Sequence, residues 1–175
     1  MKKILLSLFA FFVISQTAQA LEIIKDTLVR VNPRKPISTQ NYTEGDFVYF
    51  VNYTDMWQGT EILIPKSTVF AGHINFLKMP IQGVNGAFSM KIDKMLMPNG
   101  DVYDINAIIT YEGKEQIGGE LAPPADYTKA IHYIGQFRAL QQWVPAGHYE
   151  FGKHTTITQQ HDLYIIFKEN LILKN

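Results

Sequence analysis

The sequence predicts a mostly β fold, namely a small antiparallel β-barrel or sandwich with one short packed helix. Two apolar runs rich in β-branched residues flank a Pro65-Lys66-Ser67 turn, which is the pattern of two strands joined by a tight turn. Asn99-Gly100 lies between two further apolar runs, and this dipeptide is typical of a β-hairpin. Apolar and polar residues alternate along much of residues 103–111, as expected for a strand with one buried face.

Residues 1–20 have the features of a secretory signal peptide. Lys2 and Lys3 precede an apolar run, and Ala18-Gln19-Ala20 matches a cleavage site with small residues. The apolar run has roughly a dozen residues, whereas a transmembrane helix needs about 20. We therefore expect cleavage after Ala20, a periplasmic or secreted chain without an integral membrane span, and a single β-barrel-like domain over residues 21–175.

Composition argues against several classes of protein. The formal net charge is zero with Lys2 and Lys3 included, so the chain without them is mildly acidic and lacks the basic stripe of a nucleic-acid-binding protein. The sequence has no cysteine, which excludes a disulfide framework, a thiol nucleophile and cysteine ligands for a metal. We expect an exported domain that is stabilised by packing of its aromatic and aliphatic side chains and that uses no cofactor.

The first strands are predicted on either side of a proline-rich break. Residues 21–31 alternate loosely, and Pro33 and Pro36 then interrupt the pattern, because proline donates no backbone hydrogen bond. Residues 47–53 follow with apolar side chains on both faces. Such a strand is typical of a closed barrel or of a sheet that is covered on both sides.

Two irregularities are predicted in the middle of the chain. Gly72 interrupts an apolar strand and indicates a bulge or a bend. Residues 88–97 alternate at first and then change phase, because Met95 is apolar where alternation requires a polar residue. One extra residue near Asp93 and Lys94 restores the pattern, so we predict a β-bulge there.

A helix is predicted after the glycine-rich loop 112–124. Asp126 is placed to cap its first turn, and Gly135 weakens it by about 1 kcal/mol relative to alanine. Residues 155–158 and 163–167 are expected to be closing strands. The apolar residues of the predicted helix recur at helical spacing: Tyr127, Ala130, Ile131, Ile134 and Phe137.

Residues 27–109 resemble the C-terminal barrel of TrbI-type proteins of conjugation and type IV secretion. The similarity lies in the Gly45-Asp46 turn before a strand, the Ile64-Pro65-Lys66-Ser67 turn, and the strand that contains Gly72. Met97-Pro98-Asn99-Gly100 stands where that family has a Pro-Asp-Gly hairpin. The resemblance implies a barrel in the bacterial cell envelope and a role in a secretion assembly.

The sequence also departs from that family. TrbI-type proteins have an uncleaved inner-membrane span and a long proline-rich stalk, and this sequence shows neither pattern. A helical excursion of their barrel helps to build an outer-membrane ring. The helix predicted here, residues 127–141, is shorter than the roughly 20 residues of a bilayer span and carries Lys129, His132 and Arg138. The barrel and the envelope location are therefore what the resemblance chiefly implies.

The titratable side chains give little indication of a metal site or of catalysis. His148, His154 and His161 match no short ligand spacing, so we interpret them as turn or surface residues and His73 as a hydrogen-bonded structural residue. Acid–base catalysis requires two carboxyl groups in one cleft. A hydrolase would need at least two of the acids near the 88–112 hairpin to share a pocket: Asp93, Asp104, Glu112 and Glu115.

Three aromatic residues are the candidate contact residues. Trp57 and Trp143 lie in polar surroundings, and Tyr53 ends an apolar strand. Exposed rings of this kind suit protein partners or glycans. The interpretation that we favour is that each tryptophan instead plugs one end of the barrel.

The function expected from the sequence is non-enzymatic binding in the cell envelope. The protein would be a binding or structural component of a secretion- or conjugation-like assembly, and oligomerisation stays open. A glycan- or peptidoglycan-binding module that uses exposed tryptophans is the first alternative. A hydrolase with acidic residues near the 88–112 hairpin is the second.

Overall fold

The computed structural model describes residues 21–134 and 138–173. This part of the chain contains 15 strands and no helix. The strands are, in chain order, β1 (Glu22–Ile23), β2 (Leu28–Pro33), β3 (Ile37–Ser38), β4 (Phe47–Val51), β5 (Met56–Gln58), β6 (Glu61–Ile64), β7 (Val69–Lys78), β8 (Ala87–Leu96), β9 (Val102–Tyr111), β10 (Ile117–Gly118), β11 (Tyr127–Ile134), β12 (Arg138–Pro145), β13 (Thr156–Ile157), β14 (Leu163–Phe167) and β15 (Leu171–Ile172).

Six strands form a closed antiparallel barrel. Their order is β8, β7, β4, β2, β14 and β9, and pairing of β9 with β8 closes the ring. Strand β10 extends the sheet by pairing with the first residues of β8. Four two-stranded sheets are added to the barrel: β1 with β15, β3 with β13, β5 with β6, and β11 with β12. Of the two architectures that the sequence left open, the structure shows the barrel.

The core lies inside the barrel and is filled by alternate residues of its strands. In β4, Val48 and Phe50 are buried, whereas Phe47 and Tyr49 face outward and are 71% and 46% exposed. The alternation predicted for this strand is present, but its outer face is not covered. Burial of a large apolar side chain contributes roughly 1.5–3 kcal/mol. Four phenylalanines from four different strands are almost fully buried: Phe50, Phe70, Phe88 and Phe167.

The predicted hairpin joins β8 to β9. Gly100 has a φ of +97°, which glycine adopts without steric cost. The Met97 N–H donates to the Asp101 carbonyl at 2.9 Å, and the Gly100 N–H donates to the Met97 carbonyl at 3.0 Å. The Asn99 side-chain oxygen accepts the Asp101 N–H at 3.1 Å. The prediction from Asn99-Gly100 is confirmed.

Both predicted irregularities are confirmed, and they coincide. The register of β7 on β8 shifts between Ala71 and Gly72, where Asp93 is the extra residue on β8. A Cβ atom on Gly72 would lie 1.9 Å from the Lys91 carbonyl oxygen, so this close approach of two backbones requires glycine. Beyond the bulge, Met95 is buried, as the change of phase requires.

The predicted helix is wrong, because its residues form the hairpin of β11 and β12. Tyr127 and Ile131 are four residues apart, which fits one helical turn and also one face of a strand. Residues 127–134 contain two tyrosines, two isoleucines and one threonine, which favour strands. Asp126 caps no helix. Its carbonyl oxygen instead accepts the Ala146 N–H at 3.0 Å, and this bond joins the residue before β11 to the residue after β12. Gly135 and Phe137 lie outside the described residues.

The strands near the two ends of the chain agree with the predicted ones except for their bounds. Residues 21–31 contain β1 and the first part of β2 rather than one strand, and the closing strands are present as β13 and β14. The predicted signal peptide, residues 1–20, lies outside the described residues. No helix long and apolar enough to cross a membrane is found in residues 21–134 and 138–173.

Candidate interaction surfaces

The three predicted contact residues are exposed on the surface. Trp57 lies in β5 and is 58% exposed, and Trp143 lies in β12 and is 63% exposed. Tyr53 follows β4 and is also exposed. The interpretation of the tryptophans as plugs of the barrel is therefore wrong. The structure places them on two different hairpins, β5–β6 and β11–β12, so they do not form one binding surface within a sheet.

The β11–β12 hairpin has eight paired positions and one aromatic face. Tyr127 pairs with Pro145 and each following residue pairs in strict register up to Ile134 with Arg138. Side chains alternate between the two faces of a strand pair. The aromatic face carries four exposed large side chains: Tyr127, Ile131, Tyr133 and Trp143.

The aromatic face contains a cation–π contact. Lys129 pairs directly with Trp143, and its Nζ atom lies 5.3 Å from the centroid of the indole ring. Such a contact contributes about 0.5–1 kcal/mol at an exposed site. It holds the indole ring against its own hairpin and leaves the aromatic face both apolar and positively charged.

The charge of the hairpin is of one sign. Residues 127–145 contain Lys129 and Arg138 but no aspartate or glutamate. The rest of the chain after residue 20 carries more acidic than basic residues. The hairpin therefore combines exposed aromatic side chains with positive charge on an otherwise acidic protein.

The exposure of this hairpin is unusual for a stable element. An isolated two-stranded hairpin is at best marginally stable in water, and both of its strands have an outer edge with free backbone groups. On the opposite face, Leu140 is also 54% exposed. The exposed apolar side chains make this hairpin a candidate interaction surface. Sequence analysis missed this surface because it assigned the segment to a packed helix, although the alternation of Tyr127, Ile131 and Tyr133 was a signal for it.

The β5–β6 hairpin is attached to the barrel more firmly. Leu63 and Ile64 of β6 are buried in the core, whereas Trp57 and its pairing partner Ile62 are exposed. The register shifts between Met56 and Trp57. The hairpin thus places the indole ring of Trp57 on the surface, while the last two residues of β6 belong to the core.

Asn52 fixes the base of that hairpin. Its side chain is 1% exposed, and its Nδ2 atom donates to the carbonyl oxygens of Thr54 at 3.0 Å and Pro65 at 2.9 Å. The Ser67 N–H donates to the Asn52 carbonyl at 2.8 Å. Ser67 has a φ of +68°. The predicted turn of Pro65-Lys66-Ser67 is therefore tight, and it is held at one end by the side-chain amide of Asn52 and at the other by the backbone carbonyl of Asn52.

The histidines have separate partners. His148 Nδ1 lies 2.9 Å from a carboxylate oxygen of Asp126, and His154 Nδ1 lies 3.0 Å from the hydroxyl of Thr39. The ring nitrogen of His161 accepts the Thr158 N–H at 3.1 Å. Among the described residues, no group of three or more histidines, aspartates or glutamates is placed to hold a metal ion.

The four carboxylates of the hydrolase alternative are not brought together in a cleft. Asp93 lies against His73, and Asp104 pairs with Lys94. A small cavity of about 110 Å³ is lined by Glu112 but by none of the other three. The structure gives this alternative no shared pocket of the kind it requires.

Two groups of side chains near the β8–β9 ladder have shifted pKa values. The hydrogen bond from Lys94 to Asp104, 2.7 Å long, lowers the pKa of the Asp104 carboxyl and raises the pKa of the Lys94 ammonium. Desolvation, followed by the charge of Glu112, raises the pKa of the Tyr111 phenol. Both effects belong to the outer wall of the barrel and define no reactive group at neutral pH.

The fold of this chain is similar to that of a solved component of a type IV secretion system. The comparison is with ComB10 of the Com type IV secretion system of Helicobacter pylori, whose solved structure matches this chain with a TM-score of 0.53 and 13% sequence identity. The match covers 90% of this chain and 94% of the ComB10 chain. The resemblance to the TrbI-type barrel is thus confirmed at the level of the fold. No family model and no curated protein sequence matches.

Proposed function

We propose that this protein is an exported, non-enzymatic component of a secretion- or conjugation-like assembly in the bacterial cell envelope, and that the β11–β12 hairpin is its principal contact with partner proteins. The observation that carries the proposal is the shared fold with ComB10 over 90% of the chain. Residues 1–20 would direct export and be removed after Ala20, leaving residues 21–175 as a single β-barrel-like domain in the periplasm or outside the cell. Contact with partners, including further copies of the chain, would cover the hairpin.

The hairpin is the element best suited to such a contact. Tyrosine, tryptophan and arginine are enriched among the residues that dominate protein interfaces, and the aromatic face supplies Tyr127, Tyr133 and Trp143. The unpaired edges of β11 and β12 can add a strand from a partner. The absence of carboxylates from residues 127–145 favours a partner surface with negative charge.

Site-directed cross-linking tests this proposal, because the sequence has no cysteine and an introduced cysteine is the only thiol. Tyr133→Cys places the thiol on the aromatic face, and Tyr164→Cys places it on the outer wall of the barrel in β14. In intact cells, a maleimide–succinimide cross-linker is expected to join the Tyr133→Cys chain to envelope proteins far more than the Tyr164→Cys chain. Equal labelling of the two variants, or an N-terminus that still contains residues 1–20 in the envelope fraction, would contradict the proposal.

A glycan-binding function is the second candidate, and the exposure of Trp57 and Trp143 favours it. Flat exposed rings suit sugars, although Lys129 occupies part of the space around the Trp143 ring. The two tryptophans are the only ones in the sequence, so intrinsic fluorescence reports on them alone. A shift in tryptophan emission on addition of soluble peptidoglycan fragments would support glycan binding if the double variant Trp57→Phe/Trp143→Phe shows no such shift. An unchanged emission spectrum would exclude glycan binding through these residues.

A further inference from the structure

A groove opens in the barrel wall where β2 and β4 separate. Its volume is about 450 Å³. One side is formed by the chain after β2 and the other by the first residues of β4. The side chains that define it are Arg34, Lys35, Ile37, Tyr42, Phe47 and Tyr49.

The separation of the two strands follows from Pro36, which comes three residues after the end of β2. Asn32 pairs with Val51 and Pro33 with Phe50, and the Arg34 N–H still donates to the Tyr49 carbonyl at 2.9 Å. Continuing this register would place Pro36 opposite Phe47, and proline has no N–H to donate. The chain instead turns away, and β3 pairs with β13.

This divergence leaves part of β4 with a free edge. All five residues of β4 pair with β7 on the other side. Backbone groups of successive residues in an antiparallel strand point to opposite sides, and Tyr49 points its carbonyl towards Arg34. Phe47 has the same orientation, so the N–H and C=O of Phe47 and the N–H of Tyr49 face the groove. No backbone partner for these three groups is found in the described residues.

Two basic side chains line the groove. Arg34 and Lys35 are exposed and take part in none of the ion pairs among the described residues. Two carboxylates lie in the loop between Tyr42 and Phe47 and accept backbone N–H groups there: Glu44 accepts the Leu77 N–H at 2.9 Å, and Asp46 accepts the Thr43 N–H at 2.7 Å. Two unpaired cations therefore lie beside an open strand edge and two exposed aromatic rings.

We propose that this groove binds an extended acidic peptide of a partner protein, which adds as a strand to the free edge of β4. Main-chain hydrogen bonds to Phe47 and Tyr49 would supply affinity, and carboxylates opposite Arg34 and Lys35 would supply selectivity. Apolar residues of the peptide would alternate with these acids and pack on the Phe47 and Tyr49 rings. The free backbone edge favours a peptide over other polyanions, because only a peptide continues the ladder.

The chain itself offers no matching segment outside the described residues. Residues 1–20 contain Lys2 and Lys3 and no acidic residue, so their charge has the wrong sign. Residues 135–137 and 174–175 contain no acidic residue either. The inference concerns a different surface from the β11–β12 hairpin and does not rest on the proposed function.

Fluorescence anisotropy with synthetic peptides tests the inference on the purified protein expressed from the full-length sequence. The probe is a fluorescein-labelled octapeptide, Ser-Val-Asp-Val-Asp-Val-Asp-Ser. One control peptide replaces the aspartates by lysine, and a second keeps them but replaces two valines by proline. Only the valine–aspartate probe is expected to bind. The lysine peptide has the wrong charge, and the proline peptide cannot pair as a strand.

Matched protein variants separate the groove from general charge effects. Arg34→Gln/Lys35→Gln is expected to weaken binding of the acidic peptide about fivefold or more, the effect of two exposed ion pairs. Lys66→Gln/Lys153→Gln removes the same charge from exposed positions elsewhere and should leave binding unchanged. Hydrogen exchange followed by NMR should show slower exchange of the Phe47 and Tyr49 amides on addition of the peptide.

Several outcomes would overturn the inference. Equal binding of the proline peptide, equal weakening by both double variants, or unchanged exchange at Phe47 and Tyr49 would show that no strand is added. Equal competition by a single-stranded oligothymidine would show a general polyanion surface. Light scattering that shows a dimer whose formation excludes the peptide would assign the groove to a second copy of the chain.

Discussion

The Nδ1 atom of His73 lies 2.7 Å from the Oδ2 atom of Asp93, and this contact joins β7 to the extra residue of β8. Gly72 precedes His73, and the register of the two strands shifts at that step. The interpretation of His73 as a hydrogen-bonded structural residue is therefore confirmed. The bulge directs the Asp93 side chain to the outer surface, where both side chains are partly exposed.

Gly72→Ala is expected to destabilise the barrel by more than about 2 kcal/mol. The added Cβ would lie 1.9 Å from the Lys91 carbonyl oxygen and 2.8 Å from the Ile92 Cα atom. Both are backbone atoms of β8, so relief of the overlap requires the two strands to move apart. Urea unfolding followed by circular dichroism measures the loss.

Gly45→Ala is the control for that measurement. Gly45 has a φ of +89° and no heavy atom within 4 Å of an added Cβ. The substitution introduces backbone strain without overlap and is expected to cost about 1–2 kcal/mol. A loss for Gly72→Ala that does not exceed the loss for Gly45→Ala would contradict the argument from close approach.

Asn52→Ala is expected to cost about 1–2 kcal/mol, because the Thr54 carbonyl loses its side-chain donor and the Pro65 carbonyl keeps only the N–H and the hydroxyl of Thr68. The loss should also loosen the β5–β6 hairpin and change the emission of Trp57 in a Trp143→Phe background. Asn41→Ala, at an exposed asparagine, is the control and should change neither quantity. An unchanged unfolding free energy in Asn52→Ala would show that solvent replaces the buried amide.

The pair of Lys94 and Asp104 gives a prediction about pH. The ammonium of Lys94 lowers the pKa of the Asp104 carboxyl below its ordinary value of 3.8. A lowered pKa in the folded state stabilises the protein above the unfolded pKa, and this contribution is lost as the pH falls through the folded pKa. Lys94→Met should raise the pKa of Asp104 towards its ordinary value in an NMR titration, whereas Lys91→Met, at an exposed lysine of the same strand, should change it far less. Equal effects of the two variants would contradict the pairing.

The strands of the barrel could be predicted from local signals, which did not decide between a barrel and a sandwich. The bulge at Asp93 followed from the buried Met95, because a change of phase in an alternating strand requires an extra residue. The β8–β9 hairpin followed from Asn99-Gly100. Both signals depend on residues that are close in sequence, and both were reliable for that reason.

The interaction surfaces could not be predicted in the same way. The helix assigned to residues 127–141 failed because Tyr127 and Ile131 fit both periods, and only the partner strand β12 decides between them. The groove beside β4 depends on the register of β2 against β4, which the sequence of neither strand specifies. The two prolines signalled that β2 would end, but not that Phe47 would face an open edge.

Replacing residues 128–144 by a short glycine–serine linker is expected to leave the barrel intact. The Ala146 N–H lies 3.0 Å from the Asp126 carbonyl oxygen, so a short linker can close the gap. Four large side chains of the hairpin are more than half exposed: Tyr127, Tyr133, Leu140 and Trp143. Removal of residues 128–144 should change the free energy of unfolding by less than about 1 kcal/mol, as for surface substitutions. Urea unfolding and the NMR spectrum of the remaining barrel residues measure this.

The β5–β6 hairpin provides the contrast, since it has the same two-stranded form but buries Leu63 and Ile64. Replacing residues 56–64 by the same linker should cost several kcal/mol, because loss of one buried leucine or isoleucine side chain alone costs about 2–5 kcal/mol. A barrel that unfolds without residues 128–144 but tolerates the loss of residues 56–64 would contradict this prediction, because it would show that β11–β12 and not β5–β6 stabilises the barrel. If the barrel is stable without residues 128–144, the three exposed aromatic rings of the β11–β12 hairpin are not needed for folding, which agrees with the partner contact proposed for this hairpin.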